Sequence, residues 1–174
     1  CLSRLFRDLP YTCTMNPALG HEVEPEYAVT EAAVKKKIMI IGAGPAGLEA
    51  AITAKRRGHD VTIYEKGDRI GGNLLGYAGN DLARPDDLFS VVRYYETMVS
   101  KLGIEVKFNT EANAKFMRSV LHQYDVCLVA AGARTDMAAY RQFIGSVIWT
   151  LPGVRETRTY AVMEEVKNSA QLPL

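Results

Sequence analysis

The feature that most constrains the fold of this chain is the spacing of three glycines in the hexapeptide at 42–47, Gly-Ala-Gly-Pro-Ala-Gly. It follows a short apolar run over 37–41, whose β-branched residues predict a strand buried on both faces. The proline within it suits the first turn of a helix, and apolar residues then recur at near-helical spacing until Gly58. A second apolar run over 61–64 predicts the next strand. This order of elements predicts a βαβ unit.

Each glycine of this turn has a separate expected purpose. Gly42 permits a tight turn, Gly44 lets a pyrophosphate approach backbone without a Cβ, and Gly47 lets the helix pack closely on the strand. The helix N-terminus supplies N–H groups and partial positive charge for the phosphates. Glu65 ends the second strand, 23 positions after Gly42, where it can accept hydrogen bonds from an adenosine ribose and repel the 2′-phosphate of NADP. The alternative is a turn that holds no ligand, and these residues alone do not separate FAD from NAD.

The rest of the chain continues the alternation of strands and helices, although no internal repeat is visible. The expected elements are a glycine-rich loop over 71–79, an amphipathic helix over 88–102, a strand over 104–108, a helix over 113–122, a buried strand over 125–131, a strand over 146–150 and a helix over 160–168. Such alternation predicts an α/β fold with a doubly wound parallel sheet of Rossmann type, preceded by a loop-rich lead-in.

Composition and charge argue against several classes of protein. Lys plus Arg is 21 and Asp plus Glu is 20, so the net charge is +1, without the basic excess that binding of nucleic acid requires. No apolar run approaches the roughly 20 residues that span a bilayer, so no membrane segment is expected. The first ten residues lack the apolar core of a secretory signal, so the cytoplasm is the expected location. The chain starts at Cys1 and ends in Leu-Pro-Leu, which suggests a piece of a longer protein.

The remaining chemically reactive residues are expected to be structural. Cys127 lies in an apolar strand, where a free cysteine is usually a small buried hydrophobe. The histidines, His21, His59 and His122, have no second metal ligand at suitable spacing. Neither a Ser-His-Asp arrangement nor a carboxylate pair is visible, so no catalytic residue is predicted.

The segment over 37–73 resembles a known cofactor-binding sequence: KIMIIGAGPAGLEAAITAKRRGHDVTIYEKGDRIGGN is similar to the FAD-binding segment of flavoproteins with two dinucleotide-binding domains. The stretch over 129–133 resembles the second fingerprint of that family, with Ala131 in place of a threonine. The family places the adenine against backbone just after the third strand, here 110–112. The resemblance therefore implies a site for FAD, or ADP in its place, made of Gly42, Ala43, Gly44, Pro45, Ala46, Gly47, Glu65, Lys66, Gly72, Asn73, Ala112, Ala131 and Gly132.

The lead-in over 1–35 resembles one particular group within these flavoproteins. Cys1 and Cys13, followed by TMNPALGHE, resemble the last two cysteines of the iron-sulfur segment in the 2,4-dienoyl-CoA reductase and trimethylamine dehydrogenase group. Those enzymes join an Old Yellow Enzyme-like FMN barrel, a 4Fe-4S cluster and a region that binds FAD and NAD(P)H. The resemblance implies that Cys1 and Cys13 are cluster ligands in the parent protein; by composition alone they would be two unligated thiols.

It also implies a division of the chain. Residues 1–35 would end the cluster-binding segment, and 36–174 would form the first part of the FAD domain, truncated before the NAD(P) domain. The expected partners are the FMN barrel and the NAD(P) domain of the same parent chain. The expected function is to position FAD for electron transfer in an NAD(P)H-dependent oxidoreductase, with the fragment itself inactive. The alternative is a structural module that binds ADP and has no redox role.

Overall fold

The computed structural model of the 174-residue chain describes Pro10, Cys13, 15–78 and 85–132. Its elements, in chain order, are β1 (Lys37–Ile41), α1 (Pro45–Arg56), β2 (Asp60–Tyr64), α2 (Asn73–Ala78), α3 (Pro85–Lys101), β3 (Glu105–Lys107), α4 (Ala114–Val120) and β4 (Val126–Val129), with short 3-10 helices at Pro25–Tyr27 and Leu121–Gln123. The strand and helix expected over 146–150 and 160–168 lie outside the described residues.

The four strands form one parallel sheet in the order β3-β2-β1-β4. Ile40 of β1 lies opposite Ile63 of β2 on one side and Leu128 of β4 on the other. The chain thus moves outward from β1 to β3 and then returns to the opposite side of β1. Ligands of open α/β sheets bind where the strand order reverses, which here is the crevice at the carboxyl ends of β1 and β4.

Both faces of the sheet are covered, as the doubly wound prediction requires. On one face, α1 and α3 bury a core that includes Ile40, Leu48, Ile52, Ile63 and Tyr95. On the other face, α4 packs over β1, β2 and β4, with Met39 and Met117 completely buried between them. Each such aliphatic side chain contributes about 1.5–3 kcal/mol on burial, so these two cores hold the crevice in place.

One helix was not expected from the sequence. The stretch over 71–79 was predicted to be a glycine-rich loop, but α2 begins at Asn73 inside it. The Gly71 and Gly72 carbonyls accept hydrogen bonds from the Leu74 and Leu75 N–H groups, at 3.1 and 3.2 Å. Both glycines have positive φ, at +114° and +53°. The glycine pair therefore turns the chain into a helix instead of prolonging a loop.

The last described strand was predicted to be buried, but only every second residue of it faces a core. β4 is shorter than the expected span of 125–131, and only Cys127 and Val129 face the core beneath α4. The alternate side chains, Val126 and Leu128, are 38% and 41% exposed. Among the described residues β4 is an edge strand, and no helix covers this part of its second face.

The lead-in is tied to the sheet domain by backbone hydrogen bonds. It contains the 3-10 helix Pro25–Tyr27, which the sequence did not predict. The Ala32 N–H donates to the Arg57 carbonyl at 2.9 Å, and the Lys36 N–H donates to His59 Nδ1 at 3.2 Å. In the part of the chain that the structure describes, no helix has the length and apolar character needed to cross a bilayer.

Candidate functional site

The inner side of the glycine turn, defined as residues 42–47, is pressed against the sheet. Gly42 has φ +102°, and its N–H donates to the Tyr64 carbonyl at 2.8 Å. A Cβ built on Gly42 would overlap the Ala130 carbonyl oxygen, and one built on Gly47 would overlap the Gly42 carbonyl oxygen. Packing of the protein on itself therefore excludes a side chain at both positions, as the sequence predicted for them.

The outer side of the turn is open. Gly44 has an ordinary φ of −79°, and a Cβ built on it would meet none of the described residues within 4 Å. Gly44 is the N-cap of α1, yet no side chain caps the helix. Pro45, the next residue, has no N–H, and Ala46 is exposed. The first N–H groups of a helix have no acceptor within the helix, so this end of α1 presents free donors and positive potential to an anion.

Glu65, the residue immediately after β2, binds the turn through its side chain. Its Oε2 accepts a hydrogen bond from the Ala43 N–H at 2.7 Å, and its Oε1 accepts one from the Gly67 N–H, also at 2.7 Å. Its backbone belongs to the sheet edge, because its N–H donates to the Lys107 carbonyl and its carbonyl accepts from the Thr110 N–H, both at 2.9 Å. Glu65 therefore lies at the centre of the carboxyl ends of β1, β2 and β3.

The Gly71-Gly72 pair closes one side of the site. The Gly71 N–H donates to the Ala43 carbonyl at 2.8 Å. A Cβ built on Gly72 would lie 3.0 Å from Gly44 Cα, so Gly72 is directly against the turn. Asn73, the residue after Gly72, is the exposed first residue of α2.

The other predicted site residues are less closely joined to the turn. Lys66 is exposed and makes no recorded bond to the turn. Ala112 buries its side chain in the core beneath α4. Ala131 follows the Ala130 that supports Gly42, and Ala131 and Gly132 are both exposed at the crevice edge. Gly132, the last described residue, has φ +77°, and no other described residue lies within 4 Å of a Cβ built on it.

Two residues that contribute to the site were missed in the sequence. Gly67 supplies the second N–H to Glu65, and its carbonyl accepts from the Asn109 N–H at 2.9 Å. Asn109 has φ +51°, a left-handed conformation that asparagine tolerates better than most residues. The sequence offered two signals for these residues: a glycine two positions after Glu65, and an asparagine shortly after the third strand.

The described residues do not assemble a metal site. Cys13 is half-buried and unpaired, with its Sγ accepting from the Met15 N–H at 3.4 Å, and Cys1 lies outside the described residues. In those residues no group of three or more His, Cys, Asp or Glu side chains could hold a metal ion. The cluster-ligand assignment of Cys1 and Cys13 stays a prediction.

Two of the histidines expected to be structural, His21 and His59, have protein partners. His21 Nδ1 lies 2.6 Å from Glu24 Oε1, and its ring stacks on Tyr27. The Lys36 N–H donates to His59 Nδ1 at 3.2 Å. Burial raises the pKa of the Cys127 thiol to about 11, which keeps it protonated and unreactive at neutral pH.

Comparison with known proteins agrees with this geometry. The NAD(P)-binding Rossmann-like domain family matches residues 40–95, which contain the turn, Glu65 and the glycine pair. A cinnamate reductase of Clostridium sporogenes is 37% identical over 133 residues, which are 76% of this chain and 19% of that protein. The multifunctional alkene reductase/demethylase OYE of Caballeronia cordobensis is 36% identical over 141 residues, 80% of this chain and 20% of that protein.

A solved structure gives the same result in three dimensions. The 2-naphthoyl-CoA reductase in complex with 2-naphthoyl-CoA superposes with a TM-score of 0.70 and 42% identity, over 78% of this chain and 20% of that one. The chain belongs to the 2,4-dienoyl-CoA reductase-like group of NADH:flavin oxidoreductases. It spans about one fifth of the length of these relatives. The predicted resemblance to the 2,4-dienoyl-CoA reductase group is thereby confirmed.

A second family match lies toward the end of this NADH:flavin oxidoreductase segment. The Lrp/AsnC ligand binding domain family matches residues 124–172, of which the structure describes 124–132. There the chain forms β4, paired in parallel with β1. The described part of the second match is therefore a strand of the Rossmann-type sheet.

Proposed function

We propose that the glycine turn binds the adenosine diphosphate half of FAD, as the nucleotide-binding part of a larger NAD(P)H-dependent flavin and iron-sulfur oxidoreductase. The observation that carries the proposal is the open outer side of the turn. Packing among the described residues does not require a glycine at position 44, because a Cβ would fit there. A pyrophosphate bound at the N-terminus of α1 would require one, because it would occupy that space.

The residues around the turn suit the parts of an adenine dinucleotide. The N-terminus of α1, with Gly44, Pro45 and Ala46, would receive the pyrophosphate. The Glu65 carboxylate would accept hydrogen bonds from the ribose hydroxyls and repel a 2′-phosphate. The Thr110 N–H donates to the Glu65 carbonyl, so the backbone over 110–112 lies beside Glu65. This backbone would receive the adenine.

The proposal also covers the redox groups of the parent protein. When bound, the flavin would supply the electron-transfer chemistry, and this chain would hold its nucleotide half in place. In the parent protein, Cys1 and Cys13 would be two of the ligands of a 4Fe-4S cluster, which with the FMN of a separate barrel and with NAD(P)H would supply the remaining redox chemistry. Ala131 and Gly132 lie at the crevice edge, where Gly132 leaves the backbone open to the ligand.

A structural ADP-binding module is the second candidate, because Ala131 lacks the hydroxyl that the family's threonine offers at this edge. Calorimetric titration of the chain with ADP, FAD and 2′,5′-ADP tests both. ADP should bind, and FAD should bind within about tenfold of it, roughly 1.4 kcal/mol, because the proposed contacts are to the adenosine diphosphate half that the two ligands share. The 2′-phosphate should weaken binding at least tenfold.

The Gly44→Ala variant tests the site, since its Cβ would enter space in which no described residue lies within 4 Å. It should remain folded by circular dichroism and lose measurable ADP binding. Unchanged ADP affinity in this variant, or tighter binding of 2′,5′-ADP than of ADP by the unmodified chain, would refute the proposed site.

A further inference from the structure

The carboxylate of Glu65 has hydrogen-bond partners within the protein itself. Both of its oxygens accept backbone N–H groups at 2.7 Å, one from Ala43 inside the glycine turn and one from Gly67 in the following loop. Hydrogen bonds from N–H to a carboxylate are charge-assisted and about twice as strong as neutral ones. A contact with ribose alone would not require either bond.

Ala43, the residue that the Glu65 carboxylate binds, is restrained at both of its backbone polar groups. Ala43 is completely buried, its N–H goes to Glu65, and its carbonyl accepts from Gly71. The peptide groups on either side of Ala43 therefore have fixed directions. One of them joins Ala43 to Gly44, the N-cap of α1, so its direction sets where the first N–H groups of α1 point.

The second bond of Glu65 links the turn to the neighbouring loops. Gly67 donates to Glu65 and accepts from Asn109, which follows β3. The carboxylate thus joins the chain segments that leave β1, β2 and β3. A carboxylate offers about four acceptor positions, so two remain for other donors such as ribose hydroxyls.

We propose that Glu65 is a positioning residue for the pyrophosphate: it fixes the glycine turn through Ala43, in addition to any contact it makes with the ribose. The inference rests on the proposed function, because it explains how the anion site at α1 is formed. A positioning role also explains why a negatively charged side chain lies next to a site for an anion. The two backbone N–H groups that donate to the carboxylate stabilise its negative charge.

The proposal and its alternative predict changes of opposite sign. If Glu65 is only a nearby charge and a ribose acceptor, its neutralisation strengthens the binding of inorganic pyrophosphate, because a repulsion is removed. If Glu65 positions the turn, Glu65→Gln weakens that binding. The glutamine side chain has one acceptor oxygen and one NH₂ group, so a donor would face the N–H of Ala43 or Gly67.

Isothermal titration of the chain with inorganic pyrophosphate and with ADP provides the test. Glu65→Gln should weaken the binding of both ligands at least tenfold, although pyrophosphate has no ribose. Glu105→Gln is the matched control, since it removes the same charge from β3, where Glu105 bonds Thr62 and not the turn. Equal or tighter binding of pyrophosphate by Glu65→Gln, with only ADP weakened, overturns the proposal.

Amide hydrogen exchange at Ala43 gives a readout without any ligand. Protection of this N–H should fall at least tenfold in Glu65→Gln and stay unchanged in Glu105→Gln; unchanged protection in Glu65→Gln also overturns the proposal. Failure of the unmodified chain to bind ADP and pyrophosphate would refute the proposed function, and the Ala43 exchange rate would still decide on positioning.

A second variant covers the case in which Glu65→Gln does not fold. Glu65→Asp keeps the charge but is one methylene shorter, so it should not reach Ala43 and Gly67 together. It should therefore weaken pyrophosphate binding in the same direction. Wild-type pyrophosphate affinity in Glu65→Asp would contradict the positioning role.

Discussion

The two sides of the glycine turn use the same residue type for different physical reasons. On the inner side, Gly42 and Gly47 are in contact with backbone carbonyls, and no side chain fits. On the outer side, Gly44 has an ordinary φ and empty space where its side chain would be. The inner glycines are needed for the chain to fold, whether or not a ligand binds. Of these three glycines, Gly44 alone has no packing reason among the described residues.

This difference changes how much a glycine motif says about function. Two of the three glycines would be required in any strand, turn and helix packed this closely, so they indicate a fold. The open third position, together with the uncapped N-terminus of α1, is what indicates a ligand. The following substitutions separate the two sides, ordered by their expected effect on the free energy of unfolding.

The largest effect is expected on the inner side, from Gly47→Ala. The added Cβ would overlap the Gly42 carbonyl oxygen and approach Ala130 Cβ to 3.4 Å. Backbone atoms cannot rotate away as a side chain can, so α1 would have to move from β1. We expect a loss of about 3 kcal/mol or more, as for severe overpacking. Urea denaturation followed by circular dichroism measures it, and a loss below about 1 kcal/mol would show that the inner side is not tightly packed.

An intermediate effect is expected where the glycine pair meets the turn. Gly72→Ala places a side chain at φ +53° and brings its Cβ to 3.0 Å from Gly44 Cα. Gly103 is a matched control, because its φ is +60° but nothing lies within 4 Å of a Cβ built there. Gly103→Ala should cost only the backbone strain, about 1 kcal/mol, and Gly72→Ala about 1 kcal/mol more. Equal losses would mean that Gly72 does not press on the turn.

The parts of the fold that the sequence predicted are those fixed by neighbours along the chain. β1, α1 and β2 were predicted within one residue of their ends at most positions, because apolar runs, Pro45 and glycine stops are local signals. α2 was missed because glycine suggests a loop, whereas Gly71 and Gly72 start a helix through their positive φ. The exposure of Leu128 could not be predicted, since it depends on what covers β4.

The same limit applies to the candidate site. Its position followed from the motif, and Glu65 was identified from its place at the end of a strand. The bonds from Glu65 to Ala43 and Gly67 could not be inferred, because they depend on which loops meet at the sheet edge. A spacing rule identifies an acceptor for a ribose; it does not show that the acceptor is already holding the turn.

The smallest effect on stability, and the sharpest test of the comparison, is expected from Gly44→Ser. The serine Cβ enters open space, the φ of −79° suits any residue, and serine is a preferred N-cap that can satisfy a free N–H of α1. The free energy of unfolding should therefore change by no more than about 0.5 kcal/mol. ADP affinity should nevertheless fall at least tenfold, because the side chain occupies the path of the pyrophosphate and competes for its N–H donors. Chemical denaturation and calorimetry on the same sample measure both quantities. A destabilised protein would mean that the outer side resembles the inner one, whereas a stable protein with unchanged ADP affinity would place the nucleotide elsewhere.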